Sequence, residues 1–423
     1  MAAEPYDLVV FGATGYTGQF VAEEIARIAE KNSKLKYAFA GRNKVKLNKT
    51  VEMAKMNTGL ELRNVGVIVA DVNDEESLLN MAKQAKVVLN CVGPYRFYGD
   101  RVVSACIKGG ADHVDISGEP QYLEQMQLSY SKQAQENGVH VIGSCGFDSI
   151  PADIGTLFLQ DSFPGDVNSV EAVVGLDDDS SGGASVNFTT LECAVLGLTH
   201  AKKLKQLRRE LFTTPLPKPS YKPEPRGKLF YSEEAQRWCL PNIASDRSVV
   251  KRSQHLNYEL EQRRPIQFNI FFGMKSLWTA FGSILFGIVF YIMVSFAFTK
   301  SLLLKYPEFF TLGTFTRKGP KRSDLTSVKF CVTLTGKGWD TKLEDPNQQH
   351  TDPPNTTMTV KIVGPDPGYF ATAILATQCA VTVLEEKDKL PRSGGVYPPA
   401  TAFMKTTLIA RLQEKGISFT IKE

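Results

Sequence analysis

Asp7-Leu8-Val9-Val10-Phe11-Gly12-Ala13-Thr14-Gly15-Tyr16-Thr17-Gly18 decides how the first third of this chain folds. Residues 7–11 form an apolar run without alternation, the pattern of a strand buried on both faces. Gly12 ends it. Beyond Gly18, Val21, Ile25 and Ile28 recur at helical spacing, so the glycines stand between a strand and a helix. That context makes the G-x-x-G-x-x-G spacing informative as a variant dinucleotide fingerprint. Gly12 permits a tight turn, Gly15 lets a diphosphate approach the backbone, and Gly18 lets the helix pack close to the strand. Ala13, Thr14, Tyr16 and Thr17 complete the loop, and the helix N-terminus offers amides and a positive dipole to a phosphate.

Outward from this stretch the pattern alternates. Apolar runs at 37–40, 65–70, 87–91 and 139–143 read as strands, and 45–56, 75–82, 102–107 and 119–136 as helices. Such alternation predicts a doubly wound parallel sheet, which binds ligands beyond the carboxyl ends of its strands. After the second strand stands Arg42, with Lys44 and Lys46 following, where an NAD-selective site would carry a carboxylate. A guanidinium there suits a 2′-phosphate, so NADP(H) is preferred over NAD(H). Asp71 closes the third strand and reads equally as an adenine partner or as the cap of the next helix. Val92, Gly93 and Pro94 follow the fourth strand, where the chain would pass the nicotinamide ribose. Tyr95 and Tyr98 lie just beyond as candidate proton donors, with Asp115 and Glu119 as polar partners. Residues 146–151 gather further polar groups, which shape a pocket or cap a helix. His113 reads as an ordinary strand residue, and no Tyr-x-x-x-Lys dyad follows the loop.

Composition bounds the rest. The 423 residues are 43% hydrophobic and 22% charged, long enough for two or three domains. A net charge of +4 is too balanced for a dedicated nucleic-acid binder. The seven cysteines are scattered without metal-site spacing, so no metal is expected and a reducing compartment is. The N-terminal residues lack a basic, then apolar, leader, and a secreted protein is not expected.

From about Pro164 the alternation stops. Runs at 170–176, 328–335 and 358–363 read as strands of a second, α+β domain with a mixed sheet. Residues 200–228 hold nine Lys or Arg and five prolines, a composition that favours an exposed loop. The mean hydropathy of −0.16 hides one segment. From 276 to 299 there are 24 residues without a charge, bounded by Lys275 and Lys300. As a helix this run reaches about 36 Å, enough to cross a bilayer core. Three readings stand: a span, a helix buried in a core or dimer interface, and a monotopic element bent at Gly282 or Gly287. A span would put strands of one sheet on opposite sides of a membrane, so lipid contact from one side is preferred.

The turn 12–18, Ala40-Gly41-Arg42, residues 90–99 (NCVGPYRFYG), 115–119, and 146–153 (GFDSIPAD) together resemble the saccharopine dehydrogenase-like oxidoreductases, their animal members above all. Bacterial trans-acting enoyl reductases have a similar layout. The resemblance is strongest over 5–155 and extends to 394–400. It implies an NADP-binding Rossmann domain at 1–155, a substrate or dimerisation domain at 156–393 containing 276–299, and a segment 394–423 returning to the first domain. It also implies an oxidoreductase, and association with lipid droplets or membranes at their cytosolic face. The expected reaction is reduction of a C=O, C=N or activated C=C bond of a hydrophobic, lipid-like substrate. The expected partners are that substrate and a lipid monolayer or membrane surface, without nucleic acid, and a homodimer is allowed for. Two alternatives stand: a nucleotide-binding scaffold with little catalysis, and a saccharopine reductase proper. For the latter, no arginine constellation for a substrate with several carboxylates is found.

Overall fold

Six strands carry the first sheet through the N-terminal part of the chain: β1 (Tyr6–Phe11), β2 (Tyr37–Gly41), β3 (Gly66–Val69), β4 (Ala85–Asn90), β5 (Asp112–Asp115) and β6 (His140–Ile142). Between them run α1 (Tyr16–Lys31), α2 (Lys44–Thr58), α3 (Glu75–Ala82), α4 (Tyr95–Gly109) and α5 (Pro120–Glu136). This computed structural model describes residues 4–62, 65–178, 186–199, 201–219 and 221–422. His200 and Ser220, inside the basic stretch, lie outside the described residues.

All pairings in the first sheet are parallel, in the order β6, β5, β4, β1, β2, β3, and strand Gly395–Tyr397 completes it beside β6. Leu8 to Phe11 are buried because β1 lies mid-sheet, between β2 and β4. One face packs Val9, Phe11, Ile68, Leu78, Met81 and Val102 into a continuous core. Strand order reverses at β1 and β4, which puts the end of β1 at the topological switch point of the sheet.

The chain divides into two units, Met1–Phe147 with Gly368–Lys415, and Asp148–Pro367 with Gly416–Glu423. These limits differ from those expected at 155 and 393. Helix Thr372–Glu385 belongs to the first unit, where it packs against α1 and is buried almost throughout. The last strand, Ser418–Lys422, pairs instead with Thr356–Pro365 in the second sheet. An apolar helix and a short strand carry no mark of which sheet they will cover, so the exchange is not written in local pattern.

The second unit holds a mixed seven-stranded sheet. Its central strand, Val167–Asp178, is parallel to Gln267–Met274 on one side and antiparallel to Val328–Gly338 on the other. Helix Ile150–Ser162 lies close on this sheet: a Cβ on Gly155 would stand 2.5 Å from Ile362, and one on Gly336 2.5 Å from Leu159. All three strands read from sequence in this half are present, each longer than its apolar run.

Two local expectations are corrected. Residues 200–228 are not loop throughout, because Ala201–Leu211 is a helix whose Leu204, Leu207 and Leu211 recur at helical spacing. The prolines that oppose helix begin only at Pro215. In the apolar segment, Gly282 and Gly287 lie inside one helix, Leu277–Ser295, and the chain turns instead at Phe296. A core helix is excluded, since only Ala280 and Val294 of it are buried.

Candidate functional site

At the end of β1 the chain makes the turn its glycines predicted. Gly12 has φ +88° and its N–H donates to the Ala40 carbonyl at 2.9 Å, while Gly15 N–H donates back to the Gly12 carbonyl at 2.9 Å. A Cβ on Gly18 would stand 2.1 Å from the Gly12 oxygen, and one on Gly12 2.7 Å from Val92 Cγ2. The turn is thus pressed between the first turn of α1 and the loop after β4. Gly15 precedes α1 and has no side chain with which to cap the leading amides. Gly15 is exposed, Thr14 and Thr17 half-exposed and Ala13 buried. The Tyr16 ring packs edge-on against Tyr369, centroids 4.6 Å apart. An uncapped helix N-terminus behind a glycine turn is a place for a diphosphate.

Around the turn stand the ends of β2, β3 and β4. Arg42, past β2, is exposed and makes no hydrogen bond or ion pair among the described residues. Beside it Asn43 caps α2, accepting from Lys46 N–H at 3.0 Å, and Lys44 and Lys46 are exposed. Asp71 is half-buried, and its Oδ1 accepts Asn73 N–H at 2.9 Å. The cap of α3 falls to Asp74, which takes Glu76 and Ser77 N–H, so Asp71 is not the helix cap. Past β4, Val92 N–H donates to Asn90 Oδ1 at 2.9 Å, and the Gly93–Pro94 peptide is cis.

Asn90 is a residue that sequence reading did not put in the site. It is fully buried at the end of β4, beside Phe11 of β1, and its Nδ2 has no hydrogen-bond partner among the described residues. A polar side chain closing an otherwise apolar strand was the available signal. An amide donor left bare costs about 1–3 kcal/mol.

The four proposed acid–base groups divide sharply. The Tyr95 hydroxyl donates to the Asn90 carbonyl at 2.9 Å, and its N–H donates to Glu119 Oε1 at 2.7 Å. The other oxygen of Glu119 takes Arg96 Nε–H, and both side chains are buried. Asp115 accepts Ser117 and Ser144 N–H on Oδ1, at 2.9 and 3.2 Å, and the Tyr122 hydroxyl on Oδ2 at 2.9 Å. Burial first, and then Asp115, push the Tyr122 hydroxyl well above its ordinary pKa. These groups tie the loops after β4, β5 and β6 to one another. Tyr98 differs: it is half-buried against the core, and its hydroxyl has no partner among the described residues. Of residues 146–151, Phe147 N–H donates to Thr372 Oγ1 at 3.2 Å, and Asp148 belongs to the second unit, its carbonyl accepting from Ser245 Oγ at 3.0 Å.

Residues 8–142 match the saccharopine dehydrogenase NADP binding domain. A human saccharopine dehydrogenase-like oxidoreductase is 39% identical over 100% of this chain and 99% of its own. The chain belongs to the saccharopine dehydrogenase-like oxidoreductase family. A lipid droplet localized protein of Caenorhabditis elegans is 38% identical over 99% of this chain and 98% of its own. More distant, at 27% over 99% of this chain and 98% of its own, is a Mycobacterium tuberculosis protein named as a trans-acting enoyl reductase. The first unit is accordingly an NADP-binding domain and the chain an NADP-dependent oxidoreductase of this family. The glycine cradle, the uncapped α1 and the uncommitted Arg42 fit that cofactor.

Proposed function

We propose that the turn 12–18 (Gly12, Ala13, Thr14, Gly15, Tyr16, Thr17, Gly18) holds the NADPH diphosphate. Arg42, aided by Lys44 and Lys46, holds the 2′-phosphate and Asp71 the adenine. Val92, Gly93 and Pro94 border the nicotinamide ribose, with Asn90 as a buried donor behind them. Bound there, the cofactor supplies a hydride. Tyr98 supplies the proton, and Tyr95, Asp115 and Glu119 are positioning residues that keep the loops in register. The substrate is a hydrophobic, lipid-like molecule with a C=O, C=N or activated C=C bond, met at a membrane or lipid-droplet surface. Supporting that choice are the exposed apolar helix Leu277–Ser295 and the names carried by the nematode and mycobacterial relatives.

The observation that carries the nucleotide reading is Arg42, a cation without a protein partner among the described residues, beside an uncapped helix. Titration of the purified protein with NADPH and NADH tests it. Arg42→Ala is expected to weaken NADPH about tenfold or more, the worth of a charge-assisted bond, and to leave NADH unchanged. Equal losses for both would remove the 2′-phosphate assignment. Turnover is then sought with lipid aldehydes, ketones, enoyl thioesters and imino acids. Tyr98→Phe is expected to lower kcat with NADPH affinity intact. A second reading, a nucleotide-binding scaffold at a lipid surface, is favoured by the internal hydrogen bonds that occupy Tyr95, Asp115 and Glu119. Nucleotide binding without turnover on any of these substrates would select it.

A further inference from the structure

Ser144 follows the end of β6, between Gly143 and Cys145. Its φ is +65°, a left-handed conformation that a Cβ disfavours and that glycine adopts freely. Gln236, Gln262, Leu312 and Arg392 also have positive φ, and all four are exposed. Ser144 is buried, 1% exposed, and its Oγ makes no hydrogen bond among the described residues. Glycine at this position would remove both the strained backbone and the bare hydroxyl, and the same loop carries glycines at 143 and 146. The serine side chain therefore costs stability in the protein alone. Such costs gather where a side chain serves a ligand.

The backbone around it is held on both sides. Ser144 N–H donates to Asp115 Oδ1 at 3.2 Å, and Cys145 N–H to the Asp115 carbonyl at 2.8 Å. Both oxygens of that carboxylate are engaged, Oδ1 also by Ser117 N–H and Oδ2 by the Tyr122 hydroxyl. A Cβ on Gly143 would lie 2.5 Å from Leu123 Cδ2, and one on Gly146 3.4 Å from Thr372 Cγ2. The hydroxyl is thus presented from a loop with little room to shift.

Its place in the sheet points to one part of the cofactor. Asn90 of β4 pairs with Asp115 of β5, and Val114 of β5 with Ile142 of β6, so three neighbouring strands end level. Arg42 and Asp71, past β2 and β3, serve the adenosine half. A doubly wound sheet takes the two halves of a dinucleotide on opposite sides of its switch point, which leaves the nicotinamide half to β4, β5 and β6. That half carries a carboxamide, with an acceptor oxygen and N–H donors. A hydroxyl offers one donor and two acceptor lone pairs, so it matches either end of that group.

We infer that Ser144 Oγ hydrogen-bonds the nicotinamide carboxamide and sets the rotation of the ring about its bond to the ribose. This rests on the nucleotide part of the proposed function and not on its lipid-surface part.

The full chain is titrated by calorimetry with NADP+ and with the analogue whose pyridinium ring lacks the carboxamide. Ser144→Ala removes the hydroxyl and keeps the strained backbone, whereas Ser144→Gly removes both. Each variant is expected to bind NADP+ about tenfold more weakly than the parent, the worth of one hydrogen bond, and to bind the analogue as the parent does. Without nucleotide, Ser144→Gly is expected to unfold at a higher urea concentration than the parent. Equal losses on both compounds, or no loss on NADP+, would overturn the contact and leave the nucleotide reading in place. A less stable Ser144→Gly would make the side chain a structural one and overturn the contact as well. A parent that binds neither compound would remove the nucleotide reading itself, and the contact with it.

Discussion

At Gly18 one added methyl group would press directly on the glycine turn. Its Cβ would meet the Gly12 carbonyl at 2.1 Å, backbone against backbone, so no side-chain rotation relieves the clash. Gly18→Ala is expected to weaken NADPH binding at least about tenfold by moving the turn away from α1, read by isothermal titration. Gly59→Ala, at a helix end where φ is +70° and nothing lies within 4 Å, costs stability through the backbone without touching the turn and serves as the stability control. His113 offers a second test. Burial holds its pKa down, from 6.5 to about 3, so the folded protein keeps it neutral. Below pH 6.5 the unfolded chain binds a proton that the folded chain refuses, and stability falls as pH falls from 6.5 toward 3. The slope from this one group approaches about 1.4 kcal/mol per pH unit. Urea unfolding of His113→Asn at pH 7 and pH 5 is expected to show a smaller pH effect than the parent. An equal effect would mean that other groups govern it.

Between elements, the buried Glu119–Arg96 pair joins the first turn of α4 to the residue preceding α5. Glu119 also fixes Tyr95 N–H, so one carboxylate serves two bonds at the same helix start. Glu119→Gln removes the carboxylate charge that faces the buried Arg96 guanidinium, and a loss of about 3 kcal/mol is expected in chemical denaturation. If Glu119 were instead the proton donor, the same change would abolish turnover with stability unaltered. The two roles are thus separable in one variant. At this scale the first sheet was legible in the chain, because a strand, a glycine turn and a helix each leave a period that short-range pattern reveals. Asn90 was less so. Its importance comes from a bare buried Nδ2 beside the end of β1, a property of pairing rather than of spacing.

On the scale of the whole molecule, the last thirty or so residues serve both units. Gly395–Tyr397 is the edge strand of the first sheet, and Ser418–Lys422 that of the second. A chain ending at residue 393 is therefore expected to lose stability in both units, seen as rapid proteolysis of each fragment. Loss confined to the first would support the simpler organisation in which 394–423 serves that domain alone. The sequence by itself determined the glycine turn, the parallel sheet and the presence of a segment compatible with lipid. Those features depend on residues near one another in the chain, where period, charge and glycine placement act directly. Tertiary structure decided which sheet each late element joins and that Tyr95, Asp115 and Glu119 are spent on internal bonds. It also decided that strands on both sides of the apolar segment share one neighbour. Each of these depends on contacts between distant residues, and such contacts leave no local signature because many pairings can bury the same apolar run.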